Sequence, residues 1–282
     1  MSCAEYKLLA LDMDGTLLDT HGHITESSLD AIRAAQQAGA EVVLATGRDY
    51  NGILWEELGD VKIDYVVTNN GSAVYRVRDR KCLFEHCLDN AQMVPVFRYL
   101  LQKGVYIDVF IDGRDYAPPE TMPLVDKLEL PEYVLRVLLA NRTPIDHLVD
   151  KLEADALHLQ KATLNFWKEP DGTYHSRNVV QAYLKQVPGI VLVDGGFANL
   201  EFTAAGVSKA TGLQFLADYL GLTLAQTMAI GDSENDAEML RAAGLGVAMG
   251  NAYPQVKALA DAVTDDNESD GVAKAIQKYL LK

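Results

Sequence analysis

Two aspartates, Asp12 and Asp14, stand one residue apart at the end of an apolar run that begins at Tyr6. Alternate residues of an extended segment point the same way, so the two carboxylates should share one small volume. Carboxylates this close repel each other unless a cation or a shared proton lies between them. The pair therefore predicts a divalent-metal site or a proton-sharing acid pair, although Asp-Gly is also a common turn sequence.

Polar residues also follow other apolar segments. They are Thr46 and Gly47, Lys209 at the start of a predicted helix, and Asp232 with Asn235 and Asp236. Thr46 could only cap the next segment, and the stretch from Ser233 to Asp236 also suits a helix cap. Lys209 is harder to explain structurally, because a cation at a helix start opposes the helix dipole unless an anion is bound there.

These residue types are the ones that phosphoryl transfer from a monoester requires. One carboxylate can attack phosphorus and form an aspartyl-phosphate, while a second acid protonates the leaving oxygen and later activates water. Mg²⁺ prefers oxygen ligands and would neutralise charge between carboxylates and phosphate. A lysine with a hydroxyl or amide would hold the remaining phosphate oxygens.

The elements that must position these residues alternate between strands and helices. Apolar strands end at Leu11, Ala45 and Val67, and a helix capped by Thr25 ends at Gly39. The same rhythm returns after Asn199 with helix 209–220, strand 227–230, helix 233–244, strand 245–249 and a last helix. It predicts an α/β fold, a Rossmann-like parallel-sheet core whose carboxyl strand ends gather the polar residues.

The middle of the chain has a different order of predicted strands and helices. A hairpin is predicted for 72–88, helices for 91–103, 144–155 and 178–186, and strands for 105–113, 134–141 and 163–168. We predict a discontinuous core at 1–87 and 199–282 and an inserted α+β domain at 88–198. Insertions near such a strand edge commonly act as lids.

Composition narrows the setting. A chain of 282 residues has room for two domains, and its formal net charge of −15 argues against nucleic acid and anionic membranes as partners. Cys3, Cys82 and Cys87 suggest a reducing compartment, and CLFEHC lacks the four ligands of a structural zinc site. With no signal peptide and no apolar run of membrane length, we expect a soluble cytoplasmic protein.

The segments DMDGTLLD, LATGR, the lysine of GVSK and GDSENDAEML resemble, in this order, the four motifs of the haloacid dehalogenase-like phosphatases. MGNAYPQVKALADAVTDDNESDGVA is similar to the C-terminal signature of the Cof-like branch, whose cap is inserted between the second and third motifs. The resemblance covers the segments before Leu88 and after Asn199. Ala210, where Gly is frequent, and Ala204–Ala205 depart from the pattern near the helix start.

The resemblance implies a role for each matching position. Asp12 would be the nucleophile and, with the Asp14 carbonyl and Asp232, a Mg²⁺ ligand; Asp14 would be general acid and base. The phosphate would be bound by Thr46, the Gly47 amide, Lys209 and Asn235, and Asp236 would support Lys209 or the surroundings of the metal.

The expected activity is Mg²⁺-dependent hydrolysis of small phosphomonoesters, such as sugar phosphates, pyridoxal phosphate or flavin mononucleotide. A phosphomutase or phosphotransferase is an alternative, and a non-catalytic sensor of a phosphorylated metabolite is another, which the intact acids oppose. The inserted domain should set specificity, but Arg114, Tyr116, His158 and Trp167 could equally be structural there. A monomer or a homodimer is expected.

Overall fold

The computed structural model describes residues 6–194 and 199–281, so that Cys3 lies outside the described residues. The chain divides into two compact units. The first, called the core unit, comprises residues 6–48, 53–84 and 208–281. The second, called the inserted unit, comprises 49–52 and 85–207, of which 195–198 are outside the described part.

The strands are β1 (Leu8–Leu11), β2 (Glu41–Ala45), β3 (Tyr65–Thr68), β4 (Ala73–Arg76), β5 (Lys81–Glu85), β6 (Tyr106–Ile111), β7 (Arg114–Ala117), β8 (Thr143–Pro144), β9 (Leu159–Asn165), β10 (Ile190–Val193), β11 (Leu200–Ala204), β12 (Thr227–Gly231), β13 (Leu245–Ala248) and β14 (Ala262–Val263). The α-helices are α1 (Glu26–Gln37), α2 (Asn90–Lys103), α3 (Glu132–Asn141), α4 (Leu148–Glu153), α5 (Arg177–Leu184), α6 (Lys209–Tyr219), α7 (Ala237–Ala242), α8 (Pro254–Lys257) and α9 (Gly271–Tyr279).

The sheet of the core unit is mostly parallel. Within the described residues its strand order is β14-β13-β12-β1-β2-β3-β4-β5, with parallel pairing from β14 to β3 and an antiparallel β3–β4 pair. The central strand β1 pairs with β12 and β2, and Leu11 lies opposite both Ile230 and Leu44. The carboxyl ends of these three strands are therefore level, which brings the residues that follow them together.

Helices cover this sheet because its central strands are mostly apolar and buried. Leu8 and Ala10 pack with residues of α6 and α7 in one buried cluster. Alternation along β1 turns Leu9 and Leu11 to the opposite face, and α1 packs against β2 and α9. This arrangement confirms the predicted Rossmann-like α/β core.

The inserted unit is an α+β unit with its own core, as the sequence predicted. Its sheet has the order β10-β11-β9-β6-β7-β8 within the described residues, antiparallel except for the β7–β8 pair. One face of the sheet packs on the helices α2, α4 and α5, where Phe97, Val109, Leu164 and Phe202 are buried. The other face carries polar and charged side chains, including Asp108, Lys161 and Glu201, that are also buried.

The structure differs from three predictions about this region. Residues 134–141 were predicted as a strand, but they lie in helix α3, because the apolar positions Val134, Leu135 and Leu138 also match helical spacing. The predicted return to the core at residue 199 comes too early, since β11 pairs with β9 and β10 and the core unit resumes at Ser208. At the other boundary, the inserted unit begins at Glu85 rather than at residue 88.

None of the helices within residues 6–194 and 199–281 combines the length and apolar character that crossing a membrane would need.

Candidate active site

Lys209 joins two of the predicted acidic residues in the core unit. Its Nζ donates to Asp12 Oδ1 at 2.5 Å and to Asp236 Oδ1 at 2.7 Å, and the Lys209 side chain is completely buried. Lys209 is the first residue of α6, whose start is fixed by a hydrogen bond from Ser208 N to Thr211 Oγ1 at 3.1 Å. The departure at Ala210 therefore leaves the helix start intact. The two carboxylates account for the buried cation without a bound anion.

Asp236 also organises the end of β12. Its Oδ2 accepts hydrogen bonds from the backbone N of Asp232 at 2.9 Å and of Ser233 at 3.0 Å. Thr16 Oγ1 donates to Asp232 Oδ1 at 3.3 Å, which connects this strand end to the loop after β1. The predicted helix at 233–244 begins as a 3₁₀ turn at Glu234–Asp236 and continues as α7.

A glycine allows the two loops to approach so closely. Gly15 has φ +78°, and a Cβ at this position would lie 2.6 Å from Asp232 Oδ2. A larger residue would therefore be strained in its backbone and would push Asp232 away. The glycine after Asp14 thus serves the geometry of the site as well as a turn.

Two carboxylates of this cluster, Asp12 and Asp232, hold protons more tightly than usual. Burial, reinforced by the charge of Asp236, raises the pKa of Asp12 well above its ordinary value, although Lys209 opposes this. Burial and then Asp236 raise the pKa of Asp232 to about 7. Burial lowers the pKa of Lys209, but the Asp12 and Asp236 carboxylates outweigh burial and raise it overall. The site therefore stabilises additional positive charge beside Lys209.

The structure places Thr46 directly at the end of β2 and completely buried. Its N donates to Val67 O at 2.9 Å, its carbonyl accepts from Asn70 N at 3.1 Å, and its Oγ1 accepts from Arg48 N at 3.0 Å. Gly47 follows in the same loop. These bonds fix the loop between β2 and the segment after β3.

Asn235 lies near the same loop. Its Nδ2 donates to Asn70 Oδ1 at 3.0 Å, and its own Oδ1 is buried without a hydrogen-bond partner in the described part of the chain. Asn70 had no predicted role. Its position after β3, in the segment TNNG, could have predicted a place in the site, because the residues predicted for the site after the other parallel strands are also polar.

Asp14 is held by a residue that the sequence analysis had left without a role. Arg48 Nε donates to Asp14 Oδ2 at 2.7 Å and Arg48 Nη2 donates to Asp14 Oδ1 at 2.8 Å. The Asp14 side chain is 35% exposed, and the Arg48 side chain is 12% exposed. Asp14 is therefore more accessible than Asp12 and is oriented by a planar two-bond pair.

The C-terminal signature supplies a further side chain to this site. Asn251 Nδ2 donates to Gly15 O at 2.7 Å and lies 3.5 Å from Asp232 Oδ2. Asn267 N donates to Asn251 Oδ1 at 3.2 Å, while Asn267 Nδ2 donates to Leu18 O at 2.9 Å. The resemblance of this signature to the Cof-like branch predicted no role for Asn251 or Asn267.

The acidic cluster can hold a metal ion. Carboxylate oxygens of Asp12, Asp232 and Asp236 lie within 4.8 Å of one another. An octahedral Mg²⁺ with ligands at about 2.1 Å places them about 3–4 Å apart, so this oxygen set suits it. Because both oxygens of Asp236 already bond Lys209 and the backbone, Asp12 and Asp232 are the better direct ligands.

The cysteines and the histidine of the CLFEHC segment do not form a comparable site within residues 6–194 and 199–281, although its Glu85 lies close to Asp112 and His158. Cys82 and Cys87 form no disulfide among the described residues. Neither they nor His86 belong to a group of three close metal-ligand atoms within residues 6–194 and 199–281.

Comparisons with known proteins agree with this fold. A model of the haloacid dehalogenase-like hydrolase family matches residues 9–276. Phosphatase YwpJ of Bacillus subtilis (strain 168) is 32% identical over 296 residues, covering 98% of this chain and 100% of that protein. The 5-amino-6-(5-phospho-D-ribitylamino)uracil phosphatase YcsE of the same organism is 33% identical over 283 residues, covering 98% and 97%. A solved haloacid dehalogenase-like hydrolase from B. subtilis has a TM-score of 0.82 and 29% identity, covering 97% and 100%.

The parallel sheet, with carboxylates after its central strands and a buried lysine at the start of α6, thus occurs in a chain that matches one class of hydrolases. The chain belongs to the haloacid dehalogenase-like hydrolases. Within them it is a phosphatase of the Cof-like branch that acts on small phosphate substrates, which confirms the predicted enzyme class.

Proposed function

We propose that the protein is a Mg²⁺-dependent phosphatase that hydrolyses small phosphomonoesters through an aspartyl-phosphate on Asp12. The observation that carries this proposal is the buried contact of Lys209 with Asp12 and Asp236, next to Asp232. A lysine can bridge a nucleophilic carboxylate and the phosphate that it attacks. The raised pKa values of Asp12 and Asp232 further favour a dication at this position.

The metal ligands would be the side chains of Asp12 and Asp232 and the backbone carbonyl of Asp14. Asp236 would position them through its hydrogen bonds with Lys209 Nζ and with the backbone N of Asp232. Bound there, Mg²⁺ would neutralise charge between the carboxylates and the phosphate. Thr46, the Gly47 amide, Lys209 and Asn235 would bind the phosphate oxygens.

The chain's own residues would carry two half-reactions. First, an Asp12 oxygen forms a bond to phosphorus as the bond to the leaving oxygen breaks, and Asp14 gives that oxygen a proton. Next, a water oxygen attacks phosphorus, Asp14 takes the water proton, and the bond to Asp12 breaks. Inorganic phosphate leaves and both aspartates return to their starting states.

The substrates proposed are sugar phosphates or phosphorylated cofactors such as pyridoxal phosphate and flavin mononucleotide. The relative YcsE is named for a phosphorylated ribitylamino-uracil, which is a small phosphomonoester of this kind. We assign the choice among them to the inserted unit, because the core unit contains the residues proposed for the chemistry.

Hydrolysis of 4-nitrophenyl phosphate by the full chain tests the proposal. Wild type should release nitrophenolate with Mg²⁺ and lose activity in EDTA, and Asp12→Asn should lose at least about a hundredfold in kcat. The control Asp19→Asn changes an acid of the same loop whose carboxylate accepts hydrogen bonds from His21 N and His23 N. Full activity in Asp12→Asn, or an inert wild type, would refute the proposal.

The same assay separates the alternative activities. Transfer of the phosphoryl group to a second hydroxyl, instead of release of inorganic phosphate, would favour a phosphomutase or phosphotransferase. Binding of a phosphorylated metabolite with no turnover across a broad panel would favour a sensor.

A further inference from the structure

The pair between Arg48 and Asp14 fixes the direction of the carboxylate that moves protons in the proposed reaction. Arg48 donates Nε–H and Nη2–H to the two different oxygens of Asp14, at 2.7 and 2.8 Å. This is the fork-on-fork arrangement of guanidinium and carboxylate. A protonated Asp14 would turn an O–H toward a group that has donors and no acceptor. The pair therefore holds both Asp14 oxygens as hydrogen-bond acceptors.

The backbone of Arg48 is fixed, which makes the pair a built feature of the core unit. Arg48 N donates to Thr46 Oγ1 at 3.0 Å, and Arg48 O accepts from Asn69 N at 2.9 Å. Residues of the loops after β2 and β3 thus hold both the backbone N–H and the backbone carbonyl of Arg48. Its largely buried side chain then reaches the more exposed Asp14.

In the proposed reaction Asp14 acts as a proton acceptor only in the second half-reaction. It has then given its proton to the leaving oxygen and has not yet taken one from water. We infer that Arg48 is a positioning residue that orients the ionised Asp14 carboxylate to accept a proton from the attacking water. This inference rests on the proposed function and assigns Arg48 to the second half-reaction.

That step exchanges the bond between phosphorus and Asp12 for a bond between phosphorus and the water oxygen. The water oxygen forms a bond to phosphorus, the bond between phosphorus and Asp12 breaks, and the water proton goes to an Asp14 oxygen. The electron pair of the broken bond stays with the Asp12 carboxylate, and inorganic phosphate is released. When Asp14 becomes protonated, one of its hydrogen bonds from Arg48 weakens. Asp14 can then serve as the acid for the next substrate.

Pre-steady-state hydrolysis of 4-nitrophenyl phosphate by Arg48→Gln tests the inference. Nitrophenolate is a good leaving group and needs little acid assistance, so kcat/KM, which reports the first half-reaction, should change by less than about threefold. In contrast, kcat should fall by about ten- to a hundredfold, as expected when a general base loses its orientation. The aspartyl-phosphate should accumulate, giving a burst of about one nitrophenolate per enzyme molecule.

Two further variants sharpen the test. Arg48→Lys keeps the charge but not the fork, so its kcat should fall between those of wild type and Arg48→Gln. Arg76→Gln is the matched control, because Arg76 forms the same two-bond pair with Asp79 elsewhere in the core unit, at 3.0 and 2.7 Å. It should keep the wild-type kcat and show no new burst. Thermal unfolding checks that each variant is folded, and Arg48→Lys carries the test if Arg48→Gln is not.

Different failures have different meanings. Equal losses in kcat and kcat/KM without a burst would show that Arg48 binds the phosphate, and unchanged kinetics would show a merely structural pair; either overturns the inference. Both outcomes leave wild-type activity and the effect of Asp12→Asn intact. An inert wild type or an active Asp12→Asn would instead refute the proposed function itself.

Discussion

Lys209 is a completely buried cation whose charge is balanced by Asp12 and Asp236. Burying such charges is favourable only while they remain paired, so removing one partner is costly. The cluster therefore ties the stability of the core unit to the residues proposed for catalysis. A mutation at this lysine should be visible in the folding equilibrium as well as in turnover.

Lys209→Met keeps the length of the side chain but leaves two buried carboxylates facing each other. We expect the free energy of unfolding in EDTA to fall by about 3–5 kcal/mol. Added Mg²⁺ should stabilise the variant more than it stabilises wild type, because the dication replaces part of the missing charge. Urea unfolding with and without Mg²⁺ measures both effects, with Lys274→Met, at the exposed pair with Asp265, as control. An equal response to Mg²⁺ would contradict the expectation.

Asp49 of the inserted unit should make stability depend on pH. Burial raises its pKa to about 6, against the opposing effects of the Asn51 N–H and of Lys161. An unfolded aspartate titrates near pH 4, so the stability that the protonated group contributes is present below about pH 4 and is lost as the pH rises to about 6.

Asn at this position is neutral at every pH and avoids that loss. Between pH 4 and pH 7, the free energy of unfolding of Asp49→Asn should therefore rise relative to wild type by roughly 2–3 kcal/mol. Denaturant titrations of both proteins across this range provide the difference. A difference that does not vary with pH would show that Asp49 is ionised equally in both states.

At the scale of elements, the turn between β14 and α9 supports the loop after β1. Asn267 N donates to Asn251 Oδ1, and Asn251 Nδ2 donates to Gly15 O. Thr20 N donates to Glu268 Oε1 at 2.7 Å. The position of Asp232, next to Asn251, thus depends on a segment more than thirty residues further along the chain. Outer contacts of this kind commonly change metal affinity tenfold or more.

Asn251→Ala should accordingly weaken Mg²⁺ binding by about tenfold while changing KM for 4-nitrophenyl phosphate much less. Calorimetric titration with Mg²⁺ measures the affinity directly, without relying on turnover. Gln214→Ala, which removes an exposed side-chain contact with Asp218 on α6, is the matched control. Unchanged affinity would mean that Asn251 only braces the loop.

The elements of the core could be predicted because each buried parallel strand is a short apolar run that ends in polar residues. That pattern located Asp12, Thr46 and Asp232, and the level strand ends then brought them together. Arg48 could not be assigned in this way, since its role depends on the direction of a long side chain toward Asp14. Helix α3 was missed because an apolar run that includes valines matches both strand and helix periods.

At the scale of the whole molecule, the two units bury separate clusters of apolar side chains. Separate cores are what independently folding domains require. The residues proposed for catalysis lie in the core unit, and the inserted unit is proposed to select the substrate. These two roles can be separated by removing one unit.

A variant in which a Gly/Ser linker of about ten residues replaces 85–207 should fold, since such a linker spans about 15–20 Å and Phe84 already stacks on Phe215 of α6. It should bind Mg²⁺ and still form the aspartyl-phosphate from 4-nitrophenyl phosphate. Its kcat/KM values for sugar phosphates, pyridoxal phosphate and flavin mononucleotide should converge to within about tenfold, because the pocket contacts that distinguish substrates would be gone. A panel assay beside the full chain measures this convergence. If the shortened protein kept the full chain's preferences, specificity would have to come from the core unit, and the loops around Asp14 and Asn235 would be the next place to look for it.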